Sequence, residues 1–280
     1  TMKNILIPTD FSDNAWNALL YGITFFKKTQ CTFHLVHINA TNTNSSGEAA
    51  LYVSPDILEE TILAEPKEKL QHLLKRIEKL PLNAKHNFKV QAIYGFLINE
   101  LKTLVINKKI DLIIMGTKGA TGLKSVSIGS NTGNVITKVP CNVMAVPENA
   151  CYENIQEIGF PSDLNIAYNI KVLETIKDII LLKRSALRLL YISGANEALS
   201  QNQTKVKNFI LDYFKDNVCT YHNITGKSID ESVQCFTESR NLDMVIMVAK
   251  NLNFLERILF RPTVEKISYH TKVPFLVIHE

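Results

Sequence analysis

The sequence predicts an α/β protein made of two tandem doubly wound parallel sheets of five strands each. Short β-rich runs alternate with helical patterns, the alternation runs through the chain twice in the same order, and the runs are largely apolar. Strands buried on both faces by crossover helices read this way, whereas half-exposed strands alternate.

In the first unit, the opening strand covers residues 4–8 and closes on Pro8-Thr9-Asp10. A helix follows over 14–28, with Ser12 or Asp13 as N-cap and with Trp16 and the Phe25-Phe26 pair on its buried face. The second strand spans 32–38. The Thr-, Asn-, Ser- and Gly-rich segment 41–54 reads as a surface loop or as a lid over a ligand. A helix over 55–79 carries the mixed-sign runs Lys67-Glu68-Lys69 and Lys75-Arg76-Ile77-Glu78-Lys79, the pattern of a solvated face. A strand at 88–94, a helix at 96–107, a strand at 111–115, a helix at 130–137 and a strand at 142–146 complete the unit.

The order then begins again. Asn4-Ile-Leu-Ile-Pro-Thr-Asp10 is echoed by Gln156-Glu-Ile-Gly-Phe-Pro-Ser-Asp163, and Leu35-Val-His-Ile38 by Leu189-Leu-Tyr-Ile192. Asp111-Leu-Ile-Ile-Met115 is echoed by Asp243-Met-Val-Ile-Met247, and Thr137-Lys-Val-Pro140 by Thr271-Lys-Val-Pro274. Four matches in one order read as a duplication, with domains at 1–148 and 152–280.

Composition narrows the function classes. The chain has 280 residues, 46% hydrophobic and 21% charged, enough for each half to bury its own core. A net charge of +4 with no dense basic run and no aromatic platform argues against a nucleic-acid surface. The apolar runs are strand-length, which argues against a membrane span, and no basic-then-apolar leader opens the chain. Five scattered cysteines without a Cys-x-x-Cys read as reduced, mostly structural thiols, so the expected compartment is the cytoplasm. His34 and His37 stand three apart on a strand and face opposite ways, which argues against a metal pair. There is neither a nucleophile elbow nor a Walker A lysine-serine pair.

The chemistry concentrates after the fourth strand. Five of the eleven glycines fall in Gly116-Thr-Lys-Gly119-Ala-Thr-Gly122-Leu-Lys-Ser-Val-Ser-Ile-Gly129-Ser130-Asn-Thr132-Gly133. Gly116 permits a sharp turn off a buried strand. Gly119 permits φ > 0, so that successive amides can face one anion, and Gly129-Ser130 precede a helix whose free N–H groups favour phosphate. Lys118 and Lys124 add positive charge. Taken alone, the stretch also fits a plain glycine-rich loop. In a doubly wound sheet of order 3-2-1-4-5, however, strands one and four are neighbours at the reversal of winding, where ligands sit. Asp10 and Gly116 then open onto one crevice. There Asp10 would bind a ribose hydroxyl or a metal, or serve as a capping carboxylate.

Gly116-x2-Gly119-x9-Gly129-Ser130 resembles the ATP-binding signature of universal stress proteins, with no departure in spacing. Pro8-Thr9-Asp10-Phe11-Ser12 resembles their first-strand motif, and Val139-Pro140-Cys141-Asn142-Val143 their approach to the last strand. The resemblance covers the first half and implies an adenine nucleotide alpha hydrolase-like fold. It implies that Pro8, Thr9 and Asp10 flank a ribose, that backbone near Ile38 meets adenine, and that Met115 and Gly116 line the pocket. It further implies that Gly119, Gly129, Ser130 and Asn131 hold phosphates, with Lys118 and Thr132 in the same loop and helix start. The implied cofactor is ATP, or ADP or AMP, with Mg²⁺ reaching Asp10 through the nucleotide. Pairing of the two halves across their last strands is implied too, and a homodimer is open.

The second half departs from the signature. Aligned on Asp111 and Asp243, Gly116 becomes Val248, Gly119 becomes Asn251, Gly129 becomes Arg261 and Ser130 becomes Pro262. Side chains then stand where backbone should approach phosphate, and proline removes a donor. The expected function is a nucleotide-dependent stress-response or regulatory protein with one site and no enzymatic role. A slow Mg-dependent ATPase, or a dimerisation or interaction module for another small ligand, is the alternative.

Overall fold

The computed structural model describes residues 2–39, 55–81, 83–117, 129–152, 154–194, 197–226, 228–250, 254, 258 and 273–280. The first half runs β1 (Lys3–Pro8), α1 (Asp13–Phe25), β2 (Cys31–Asn39), α2 (Pro55–Glu78), β3 (His86–Tyr94), α3 (Leu97–Asn107), β4 (Leu112–Gly116), α4 (Ser130–Lys138) and β5 (Val143–Val146). The second runs β6 (Glu157–Pro161), α5 (Ile170–Lys183), β7 (Ala186–Ser193), α6 (Gln201–Tyr213), β8 (Cys219–Thr225), α7 (Ile229–Ser239), β9 (Met244–Val248) and β10 (Phe275–Ile278). The loop 41–54 and residues 118–128 and 259–272 lie outside the described residues.

The strands form one sheet in the order β3-β2-β1-β4-β5-β10-β9-β6-β7-β8. The first half therefore has the order 3-2-1-4-5, and the second repeats it in mirror sequence. Every pairing is parallel except β5 with β10, where Phe275, Leu276 and Val277 lie opposite Ala145, Met144 and Val143. The two five-stranded sheets are thus fused through their fifth strands about a pseudo-twofold centred at Met144 and Leu276.

Burial follows position in the sheet. The central strands β5, β9 and β10 are buried at every residue, while the outer strand β3 alternates over most of its length. A strand covered on both faces by helices cannot show polar alternation, whereas an outer strand is covered less. Two hydrophobic layers result. One face packs Ile5, Ile7, Leu19, Phe33 and Leu35 together with Phe160, Ile176, Phe214 and Leu276 of the second half. The other packs Leu6, Val36, Ile113 and Met115 with Val245, Met247 and Val277.

Local chemistry sets the helix starts. Ser12 caps α1 by accepting the Ala15 N–H, Asn169 caps α5 through Lys171 N–H, and Ser200 with Gln203 forms a full capping box on α6. The segment joining the halves is tied down: Asn17 Nδ2 donates to the carbonyls of Pro147 and Ala150 at 3.1 and 3.0 Å. Tyr152 packs edge-on against Tyr21 at 5.3 Å. All five cysteines are free thiols. Cys31 and Cys141 are buried, and burial pushes them up to about 11 and about 12, but Cys151 and Cys235 are exposed.

Candidate functional site

The carboxyl end of β1 is held by a tight turn. Thr9 N–H donates to the Val36 carbonyl of β2, and His37 Nδ1 donates to the Thr9 carbonyl at 2.8 Å. Phe11 takes a left-handed φ of 64° and gives its N–H to Thr9 Oγ1. Its ring stacks on His37 with centroids 4.7 Å apart. The Asp10 carboxylate accepts both the N–H and the hydroxyl of Ser12, at 3.1 and 2.5 Å. Asp10 is therefore exposed at the crevice and also braces the turn that starts α1.

Beside β1, strand β4 ends at Gly116. Here the structure adds a second reason for this glycine. No left-handed backbone is needed there; a Cβ would instead meet the buried Asn14 side chain at 2.7 Å. Asn14 sits in the first turn of α1, so Gly116 is the place where that helix closes on β4. On its other side α4 is fastened to the same strand end. Thr132 Oγ1 donates to the Gly116 carbonyl at 2.7 Å, and Gly129 N–H donates to the Thr117 carbonyl at 2.6 Å. Thr132 is buried and its hydroxyl is spent on this tie, while Ser130 and Asn131 are exposed on the first turn.

Gly129, at φ −55° and ψ 148°, is the N-cap of α4 and offers no side chain to close the helix, nor does an acid stand in its first turn. The helix start thus presents backbone donors and the positive end of its dipole. The structure brings together Pro8, Thr9, Asp10, Met115, Gly116, Gly129, Ser130, Asn131 and Thr132. Ile38 lies two residues beyond Val36, the partner of Pro8, on the same face of the sheet as Met115. Lys118, Gly119 and Lys124 lie outside the described residues. Asn14 was not singled out in the sequence, and His37 was weighed only as half of a metal pair with His34. Neither has a spacing signal, since each is positioned by a chain segment remote from it.

The second half keeps the turn and replaces the glycine beside it. Leu164 has φ 57° and donates to Ser162 Oγ, Asn165 N–H donates to Asp163 Oδ1, and Ser162 N–H donates to the Leu190 carbonyl. This reproduces the bonds of Phe11, Ser12 and Thr9 one for one. Asp111 and Asp243 likewise each accept a backbone N–H at a strand start, from Asn4 at 2.7 Å and from Glu157 at 2.9 Å. Where Gly116 stood, however, Val248 is buried, and Tyr168 is packed beneath the turn with its hydroxyl on Ser162 at 2.6 Å. Burial pushes that phenol upward. Lys250 spans from beyond β9 to the Ala167 carbonyl at 3.0 Å and to Glu280 at 2.8 Å. Asn251, Arg261 and Pro262 lie outside the described residues.

His34 donates Nε2 to Asn4 at 3.5 Å and does not meet His37. Among the described residues no group of three His, Cys, Asp or Glu side chains is set to hold a metal, and no helix is long and apolar enough to cross a membrane.

A family model described as the universal stress protein family matches residues 1–147. A universal stress protein of Synechocystis sp. is 24% identical over 293 aligned positions, covering 98% of this chain and 99% of its own. One from Methanocaldococcus jannaschii is 30% identical over 158 positions, 51% of this chain and 94% of its own. The crystal structure of a universal stress protein from Archaeoglobus fulgidus covers 99% of this chain and 98% of its own, with a TM-score of 0.73 at 16% identity. That likeness is one of fold, and it extends over both halves.

Proposed function

The chain belongs to the universal stress protein family, and from that premise we propose that it is a nucleotide-dependent regulatory protein. In this reading residues 1–148 form a domain that binds one ATP, ADP or AMP, and residues 152–280 form a degenerate domain that binds none. The observation that carries it is the contrast between the two helix starts meeting at Gly116. The α1 start is closed by Ser12 and has Asp13 in its first turn, whereas the α4 start has neither a side-chain cap nor an acid. A phosphate satisfies such an open start through backbone donors and the helix dipole together.

On this reading Gly129, Ser130 and Asn131 face phosphates with Lys118 and Gly119. Pro8, Thr9 and Asp10 border the ribose, while Ile38 and Met115 border the base; Thr132 holds the helix to Gly116. Mg²⁺, which neutralises phosphate charge when bound with ATP, would find Asp10 and no second carboxylate in this set. Asp10 already accepts two hydrogen bonds from Ser12, so it is poorly suited as a base for an attacking water. The reading is therefore of a binder whose turnover falls below the roughly 1 s⁻¹ low end of typical enzymes. The buried Val248 and the Lys250 bridge support a single site.

Calorimetric titration with ATP tests this. About one molecule per chain should bind, and Gly129→Arg should abolish the heat while circular dichroism keeps its native form. Two equivalent sites, or unchanged affinity in the folded variant, would refute it.

A further inference from the structure

A cavity of about 250 Å³ lies between α1 and α2, on the face of the sheet away from Met115 and α4. Its floor is apolar and fully buried, formed by Ile7, Leu19 and Leu35 with Ala15 above them. The aromatic rings of Phe11 and Trp16 wall it. The hydroxyls that reach it are already engaged: Thr9 Oγ1 accepts the Phe11 N–H, and Ser12 Oγ donates to Asp10 while capping α1. A molecule inside would meet mainly apolar carbon and ring faces.

The mouth has a different character. Lys69, His72 and Arg76 stand on one stripe of α2, and no carboxylate is among the described residues that line the cavity. Glu65 and Glu68 sit one turn back, bridging Lys69 at 2.6 Å and His72 at 3.9 Å from outside the cavity. Among the described residues no carboxylate is ion-paired with Arg76, whose guanidinium instead lies over the Trp16 ring at 3.8 Å. An apolar chamber with flat aromatic walls and a cationic mouth fits an occupant with a flat apolar body and an anionic head. At roughly 30 Å³ for each water-sized group, the volume admits about eight heavy atoms.

We propose that this cavity binds a small aromatic carboxylate, with the ring between Phe11 and Trp16 and the carboxylate on Arg76. The site stands independently of the nucleotide reading, although the Thr9–Ser12 turn borders both.

Trp16 is the only tryptophan of the chain, so its fluorescence reports on the cavity alone. Titration of the full chain with benzoate should change Trp16 emission saturably in the millimolar range. The uncharged isostere benzamide should act about tenfold more weakly, as loss of a charge-assisted contact implies. Arg76→Met, an exposed change that leaves the core untouched, should weaken benzoate to the level of benzamide. Ala15→Leu, which fills the chamber, should abolish the response. Equal responses to benzoate and benzamide, or a response unchanged in Arg76→Met, would overturn the proposal. So would displacement of benzoate by saturating ATP, which would merge the cavity with the nucleotide crevice.

Discussion

Gly116 and Asn14 form a contact whose failure is easy to predict. A Cβ at Gly116 would come within 2.7 Å of the Asn14 amide group, and that side chain is buried, so it has little room to withdraw. Gly116→Val, which copies the second half, should destabilise the protein by about 1–3 kcal/mol, as overpacking generally does. Urea unfolding of the pair of proteins measures this. A second single-residue test lies at Glu157, whose carboxyl is held below its ordinary range by hydrogen bonds from Arg188, against an opposing effect of partial burial. A carboxyl depressed in the folded state contributes stability above its unfolded pKa of about 4.3 and loses it as pH falls through the folded value. Wild-type stability should therefore drop on acidification below that point, and Glu157→Gln should flatten that part of the profile in urea titrations at stepped pH. The position of Gly116 in the glycine series was legible from spacing, but this second reason for it was not. Asn14 reads in sequence as an ordinary polar residue of a first helical turn, and only tertiary folding sets it against β4.

Among the elements, those with strong periodicity were the legible ones. The helix expected at 96–107 is α3, Leu97–Asn107, and that expected at 130–137 is α4, Ser130–Lys138. The first helix was expected to run to 28 and stops at Phe25, because Lys27 N–H and Thr29 N–H bond the carbonyls three residues back, of Thr24 and Phe26, and the chain turns into β2. Trp16 was expected on the buried face of α1; it is only partly buried, because the α1–α2 cavity lies beside it and Arg76 covers its ring. The helix α5 ends on Arg184 at φ 57° and ψ 43°, a left-handed cap that glycine adopts without a Cβ penalty. Arg184→Gly should stabilise the protein by about 0.5–1 kcal/mol, visible as a higher urea midpoint with an unchanged slope. No rule of composition marks that cap beforehand, since arginine is common in the last turn of a helix for its charge.

At the scale of the whole molecule the decisive contact is β5 against β10, and Lys183 makes a second tie between the halves. Lys183 reaches from the end of α5 to the Phe25 carbonyl and to the Tyr152 hydroxyl, the latter at 3.1 Å, with its ammonium 3.7 Å from the Phe25 ring centre. Burial, helped by the charge of Lys28, pulls its pKa down to about 8. Unfolded lysine holds its proton to about 10.4, so the unfolded state binds more protons in between and stability should rise with pH from about 8 towards 10. Lys183→Met should remove that rise. A fragment of residues 1–148 would leave the buried strand β5 as a bare edge, and sedimentation should show it pairing with a second copy; Met144→Lys should return it to monomer. The seam also alters how the pairing depends on concentration. A separate domain with the β5 edge must find its partner by diffusion, whereas here the tether keeps β10 at hand at every protein concentration. Joining the two fifth strands in one chain thus turns a meeting of partners into a fold-back, independent of how crowded the solution is.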